Sequence, residues 1–412
     1  MRGNPLFVTR LLVIAAAAAT LAHAVTVPKK KRAAAKSASR AHLRHVALGV
    51  STKASPGTAA KAPVRTAVKT TSRSPWRVPN YADSTLGDIA TGEDPIARQA
   101  AIEGLGKLNG SVVISDANTG RILAMVNQKL ALKSGFQPCS TVKVPVALAA
   151  LSEGVVNRDT QIRLYGRTSM DMTQALARSS NQYFASLGEK LGFDRVSYYA
   201  RLFGLGEKAG RDIEGEQPGI LPEKTPKSGM GMMTSFGDGI TWTPLEFAGL
   251  LGAVANGGTL YYLQYPKTQE EAQTILPEVK RKLDISELIP EIKPGMEGAV
   301  EYGTARRISA EPHDPIFGKT GTCTDTRTPT HLGWFGSFTE EAGQKVVVVV
   351  LLTGGSAVSG PAAAGVAGSV YRNLVAANFF TQGPLARRPD SDAGGRQTLG
   401  FVNFGLGNAA KP

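Results

Sequence analysis

Between Ser111 and Leu352 the apolar positions fall into blocks of two kinds. Ser111 to Asp116 (SVVISD) and Arg121 to Asn127 (RILAMVN) are short apolar runs on either side of the turn signal Asn118-Thr119-Gly120, and they predict a hairpin of two strands. After Cys139 the Ala- and Leu-rich run VALAALSEG predicts a helix with Gly154 at its C-terminal end. Residues 173–206 and 243–256 also predict mainly helix. Phe317 to Thr322, His331 to Thr339 and Lys345 to Leu352 predict three strands, and Pro361 to Phe380 predicts a helix packing back on them. Two strands, many helices, three strands and a helix imply an α/β fold, a sheet covered by helices on both faces. No internal repeat interrupts this order.

The flanks have a different pattern. Arg2 and Arg10 precede the apolar run Leu11 to Leu21, and Ala22-His23-Ala24 has the small-x-small form of a cleavage site. Residues 1–24 are therefore expected to be an export signal, either cleaved or retained as an anchor. An apolar run that reaches only Val27 is short for a spanning helix. Lys29, Lys30, Lys31 and Arg32 follow directly, which works against translocation. Residues 25–82 are rich in Ala, Lys, Arg, Ser, Thr and Pro and are expected to be a disordered basic linker. A globular domain is expected over 83–380 and a loose tail over 381–412.

Charge refines this division. The formal charge of +14 is that of a nucleic-acid binder only if it lies on the fold, and it does not. Residues 1–82 hold 15 Lys and Arg and no Asp or Glu, so the rest of the 412-residue chain is near neutral. No nucleic-acid partner is expected. The basic segment is suited to lie along anionic lipid or an acidic wall polymer, or to act as a spacer. Two cysteines and five scattered histidines supply neither a disulfide scaffold nor metal-ligand spacing, so no metal and no cofactor are expected.

Three short motifs carry the candidate chemistry. Ser140-Thr141-Val142-Lys143 places a hydroxyl and an amine at i and i+3, on one helical face. A serine hydroxyl needs a neighbour to take its proton, and Lys143 does so if burial or a nearby cation lowers its pKa. The helix N-terminus also offers N–H groups to a developing oxyanion. Ser179-Ser180-Asn181 adds a hydroxyl, Ser179, able to relay a proton, and an amide, Asn181, able to hold substrate or orient Lys143. Lys319-Thr320-Gly321-Thr322 lies in a strand pattern. There Lys319 and Gly321 share one face and Thr320 takes the other. Gly321 lets a ligand backbone approach, Lys319 suits a substrate carboxylate, and the Thr322 N–H can join that of Ser140 as an oxyanion pair. Taken singly, S-x-x-K and Ser-Ser-Asn are also what helix caps and loops contain.

In this order, S-x-x-K, S-x-N and K-T-G-T resemble the signature of penicillin-binding proteins and serine β-lactamases. The similarity runs further: SVVISDANTGRILAM resembles the hairpin that opens the transpeptidase domain, CSTVKVPVALAALSEGV its nucleophile helix, and ALARSSNQYFASLGEKLG the second-motif segment. SFGDGITWTPLEFAGLLGAVANGG and GKTGT with HLGWFGSF resemble later parts of the same domain, so the likeness covers roughly residues 105–380. It implies an antiparallel five-stranded sheet flanked by helices plus a helical subdomain. It also implies Ser140 as nucleophile, Lys143 as general base, Ser179 and Asn181 as relay and orienting groups, and Lys319, Thr320, Gly321 and Thr322 as substrate and oxyanion elements. The chain departs from class B members, because a basic linker stands where they carry a folded module. It has no ExxLN-like loop, and its triplet is S-x-N, not S-x-V.

Cys139 precedes Ser140 and Cys323 follows Thr322. Some class A β-lactamases carry a disulfide at the matching positions, so the resemblance implies a Cys139–Cys323 bond in an exported chain. Two buried free thiols are the alternative. The function implied is a serine acyl-enzyme acting on D-Ala-D-Ala stem peptides of peptidoglycan, as D,D-transpeptidase or D,D-carboxypeptidase, with β-lactams as covalent ligands. The location implied is periplasmic, or membrane-anchored facing the periplasm. A serine β-lactamase and a non-catalytic penicillin-binding sensor or wall-binding module are the alternatives.

Overall fold

The computed structural model describes residues 76–381, apart from 167, 310–314 and 326–328. The export signal or anchor expected over 1–24, most of the basic linker and the tail from 382 lie outside the described residues.

Alternation of side chains explains the architecture. Five strands, β1 (Gly110–Asp116), β2 (Ile122–Val126), β3 (Ile316–Asp325), β4 (Thr330–Glu341) and β5 (Gln344–Gly354), form one antiparallel sheet in the order β2-β1-β5-β4-β3. Val112, Ile114, Val346, Val348, Val350 and Leu352 face one apolar core, while Val113, Val347, Val349 and Leu351 face the other. Period-2 alternation therefore makes both faces of these near-continuous Val and Leu runs buried. Helices α1 (Pro95–Leu105) and, from the C-terminal part of the chain, α8 (Gly360–Ala376) cover the first face.

The second face carries the candidate chemistry. It is covered by α2 (Lys143–Ser152), α3 (Met172–Ala177), α4 (Asn181–Leu202), α5 (Met230–Phe236), α6 (Pro244–Asn256) and α7 (Ile289–Glu301). Helix α6 starts at a capping box: Thr243 Oγ1 accepts from the Glu246 N–H at 3.0 Å, and the Glu246 carboxylate accepts from the Thr243 N–H at 2.6 Å. Two short ribbons, Ile162–Arg163 with Ser169–Met170 and Thr259–Tyr261 with Val279–Lys282, complete the described strands. The α/β fold with a five-stranded antiparallel sheet, flanking helices and a helical region is the one expected.

Three boundaries differ from the pattern. The helical stretch expected over 173–206 is broken after Ala177, because Ser179 adopts φ 56° and Ser180 caps α4 by accepting from the Tyr183 N–H, and α4 itself is kinked at Gly192, where φ is 72° and ψ 170°. The helix expected to reach Phe380 stops at Ala376: Asn378 turns left-handed at φ 54°, which swings Phe379 into the core. Residues 76–82, read as linker, are laced onto the domain. Arg77 N–H donates to the Pro329 carbonyl at 3.0 Å, Gly355 N–H to Asn80 Oδ1 at 2.6 Å, and Ala82 N–H to the Lys107 carbonyl at 3.1 Å. Helices α1 and α7 were not expected, although Asp94-Pro95 is a cap followed by a helix-starting proline.

Candidate active site

The three motifs converge where the start of α2, the α3–α4 break and the outer strand β3 meet. Ser140 sits in a 3-10 turn, Cys139–Val142, that runs into α2. Lys143 Nζ lies 2.6 Å from Ser140 Oγ, 2.7 Å from Asn181 Oδ1 and 3.3 Å from Ser179 Oγ. A neutral amine has two N–H donors and one lone pair. Asn181 and Ser179 accept the two donors, which turns the lone pair toward the Ser140 hydroxyl. The rings of Phe184 and Phe236 wall the amine at 5.9 Å each.

Electrostatics match this geometry. Lys143 is fully buried, and burial, helped by the charge of Lys319, lowers its pKa to about 6. Lys319 is also fully buried, and burial lowers it to about 7. Its Nζ donates to Ser179 Oγ at 2.8 Å and to the Thr320 carbonyl at 3.1 Å. One hydroxyl thus bridges two amines, a connected path for a proton.

The residues of the third motif divide between the two faces of β3 and by exposure. Thr320 points to the opposite face and its hydroxyl pairs with that of Thr304 at 2.5 Å, so its side chain is not brought to the cleft as a substrate-binding group. Lys319 likewise meets Ser179 rather than standing free for a substrate carboxylate. Thr322 is exposed, and its hydroxyl accepts from the Gly360 N–H at 2.7 Å. At Gly321 a Cβ would stand 2.9 Å from the Pro138 carbonyl oxygen, so the missing side chain lets the nucleophile turn approach β3.

Cys139 and Cys323 are bonded, with Cα atoms 5.5 Å apart across 184 residues of sequence, and no free thiol is present. The disulfide joins the residue before Ser140 to the residue after Thr322. Cys139 (φ 53°) and Ser179 (φ 56°) are both in the left-handed region, a conformation that costs a non-glycine residue about 1–3 kcal/mol unless its surroundings hold it. Among the described residues, no group of three or more His, Cys, Asp or Glu side chains is placed to hold a metal ion.

Residues 110–376 match the family model of the penicillin binding protein transpeptidase domain. The chain belongs to this family. The match starts at β1 and ends at the last residue of α8, so it takes in the whole sheet and all three motifs of the transpeptidase domain. Stage V sporulation protein D of Bacillus subtilis is 30% identical to it over 236 residues, which is 51% of this chain and 36% of that protein. The peptidoglycan D,D-transpeptidase FtsI of Escherichia coli K12 is 28% identical over 247 residues, 49% of this chain and 42% of that protein. Penicillin-binding protein PbpB of Mycolicibacterium smegmatis is 26% identical over 270 residues, 54% of this chain and 42% of that protein. The matched region spans less than half the length of each of these relatives. Among the described residues of this transpeptidase domain, no helix is long and apolar enough to cross a membrane.

The motif residues were legible as sequence; two of their supports were not. Trp334 Nε1 donates to the Gln137 carbonyl at 2.9 Å, and the Gln137 side chain donates to the Phe236 carbonyl at 3.0 Å. The run HLGWFGSF marked a strand, but nothing in it pointed its indole at the nucleophile turn.

Proposed function

We propose that this domain is a serine acyl-enzyme acting on the D-Ala-D-Ala end of peptidoglycan stem peptides as a D,D-transpeptidase. The observation that carries the reading is the 2.6 Å approach of a buried Lys143 amine, lowered to about pKa 6, to the Ser140 hydroxyl. The names of FtsI and MrdA of Escherichia coli, both peptidoglycan D,D-transpeptidases, support transpeptidation over carboxypeptidation.

Neutral Lys143 takes the Ser140 proton as Oγ bonds the carbonyl carbon of the penultimate D-Ala. The N–H groups of Ser140 and Thr322 hold the oxyanion of the tetrahedral intermediate. Collapse breaks the C–N bond, and the leaving D-Ala amine receives a proton through Ser179, backed by Lys319. An acceptor amine then attacks the ester, gives its proton back along the same path and frees Ser140. Thr322, exposed next to the Cys139–Cys323 bond, is the motif hydroxyl we assign to the substrate carboxylate. The chain is exported, and its basic N-terminal segment keeps the domain near an anionic membrane or wall surface. β-Lactams acylate Ser140 by the same attack.

A labelled penicillin tests the reading. The wild type forms a covalent adduct that persists for many minutes, and Ser140→Ala forms none. With a D-Ala-D-Ala peptide and an added D-amino acid, the wild type also releases D-Ala and incorporates the acceptor. A labelled penicillin released within seconds would overturn the transpeptidase reading in favour of a β-lactamase.

A further inference from the structure

The turn that carries Ser140 is tied to the β3–β4 hairpin twice. One tie is the Cys139–Cys323 disulfide, from β3. The other comes from β4, where Trp334 pairs directly with Gly321, and its indole N–H reaches past that missing side chain to the Gln137 carbonyl at 2.9 Å. The two ties grip the turn on either side of Pro138. Cys139, the residue tied by the disulfide, is held left-handed at φ 53°. Trp334 is fully buried, so water does not replace its hydrogen bond when the donor is removed.

We propose that Trp334 is a positioning residue for Ser140, and that its indole–carbonyl bond and the disulfide are parallel clamps on one turn. Either clamp holds the strained turn when the other is lost; loss of both releases it. This rests on the acyl-enzyme reading of the site. Parallel clamps give a specific signature, because two groups that do one job are not additive.

A second tryptophan supplies the packing control. Trp242 is equally buried, stacks on Phe247 at 5.1 Å, and Phe247 meets Trp334 edge-on at 6.3 Å. The Trp242 Nε1 makes no hydrogen bond among the described residues. Trp242→Phe therefore removes the same ring volume from the same aromatic cluster without removing a donor to the turn.

The test is a cycle on acylation by a labelled penicillin, resolved into the encounter constant Kd and the acylation rate constant. Trp334→Phe and loss of the disulfide, by reductant or by Cys139→Ser with Cys323→Ser, each lower the rate constant modestly. Their combination exceeds the product of the two losses by about tenfold, a coupling of about 1.4 kcal/mol, with Kd little changed. Trp242→Phe combined with disulfide loss shows no such excess. Strict multiplicativity for Trp334, an equal excess for Trp242, or an effect on Kd alone overturns the proposal.

Amide exchange over residues 137–142 follows the same pattern without any turnover. It keeps the clamps testable if the wild type is not acylated, an outcome that would sink the acyl-enzyme reading alone. Should Trp334→Phe not fold, benzothienylalanine at 334 keeps the ring volume and removes only the N–H.

Discussion

The Ser179 hydroxyl lies between two buried lysines, 3.3 Å from Lys143 Nζ and 2.8 Å from Lys319 Nζ. Burial lowers the first to about 6 and the second to about 7. In the proposed mechanism acylation needs Lys143 neutral and benefits from a charged Lys319. The acylation rate is expected to rise as pH climbs through about 6 and to fall again above about 7. Stopped-flow acylation with a labelled penicillin between pH 5 and 9 measures this, and a flat profile would contradict it.

The same shifts set a pH dependence of stability. Both lysines have folded-state values below the ordinary 10.5, so above about 7 and up to 10.5 the unfolded chain binds protons that the folded one does not. Raising pH through that window favours the folded state, and below about 6 the burial penalty is present in full. Lys143→Met removes the Lys143 share. Its Tm is expected to exceed that of the wild type by several degrees at pH 6, with the gap narrowing at pH 9, while acylation is lost. Thermal unfolding at the two pH values decides the point.

Asn181 accepts from Lys143 at 2.7 Å, so Asn181→Asp places a carboxylate against the amine. An opposite charge this close raises a lysine pKa by roughly 1–3 units. The acidic limb of the rate profile should move up by that amount into the falling limb set by Lys319, so that the variant is slow at pH 7 and its lowered maximum lies at higher pH than that of the wild type. A loss of rate that is the same at every pH would mean that Asn181 acts on substrate instead.

Gly321→Ala puts a Cβ 2.9 Å from the Pro138 carbonyl oxygen and 3.2 Å from Thr141 Cγ2. The obstacle is backbone of the nucleophile turn, so the turn must retreat. The variant is expected to lose stability by about 1–3 kcal/mol and acylation by more than tenfold. Urea unfolding and acylation kinetics read the two effects separately.

Thr320 and Thr322, two residues apart on one side of β3, differ in burial: Thr320 is buried and Thr322 exposed. Thr320→Val breaks the buried contact with Thr304 and should cost about 1 kcal/mol of stability with little change in the encounter constant for penicillin. Thr322→Val removes an exposed hydroxyl and the acceptor of the Gly360 N–H, and should weaken that encounter constant. The reverse pattern would show that the buried hydroxyl of Thr320, not the exposed one of Thr322, meets the ligand.

What was legible in the sequence was local. The hairpin from Ser111, the helix after Cys139 and the three late strands follow from apolar periodicity, and Ser140 with Lys143 follows from one helical turn. Alternation along β3 also separated Thr320 from Lys319 and Gly321 before any contact was known. The break at Ser179 was hidden because Ala177 to Asn181 reads as continuous helix when the capping by Ser180 is overlooked. The packing of residues 76–82 was hidden because a chain rich in Arg, Pro and Ser gives no periodic signal, and its ties are backbone bonds to Pro329 and Gly355.

The sequence by itself determined the candidate residues, because three motifs stand in a fixed order and, in the first, a hydroxyl and an amine three positions apart share one helical turn. Only the tertiary structure decided how that chemistry is tuned. Lys319 reaches Ser179 across 140 residues and Trp334 reaches Gln137 across 197. Such contacts depend on the register of β3 against β4 and on how closely Gly321 lets the turn approach. Burial, which lowers both lysines, is likewise a property of the packed core and of no single motif.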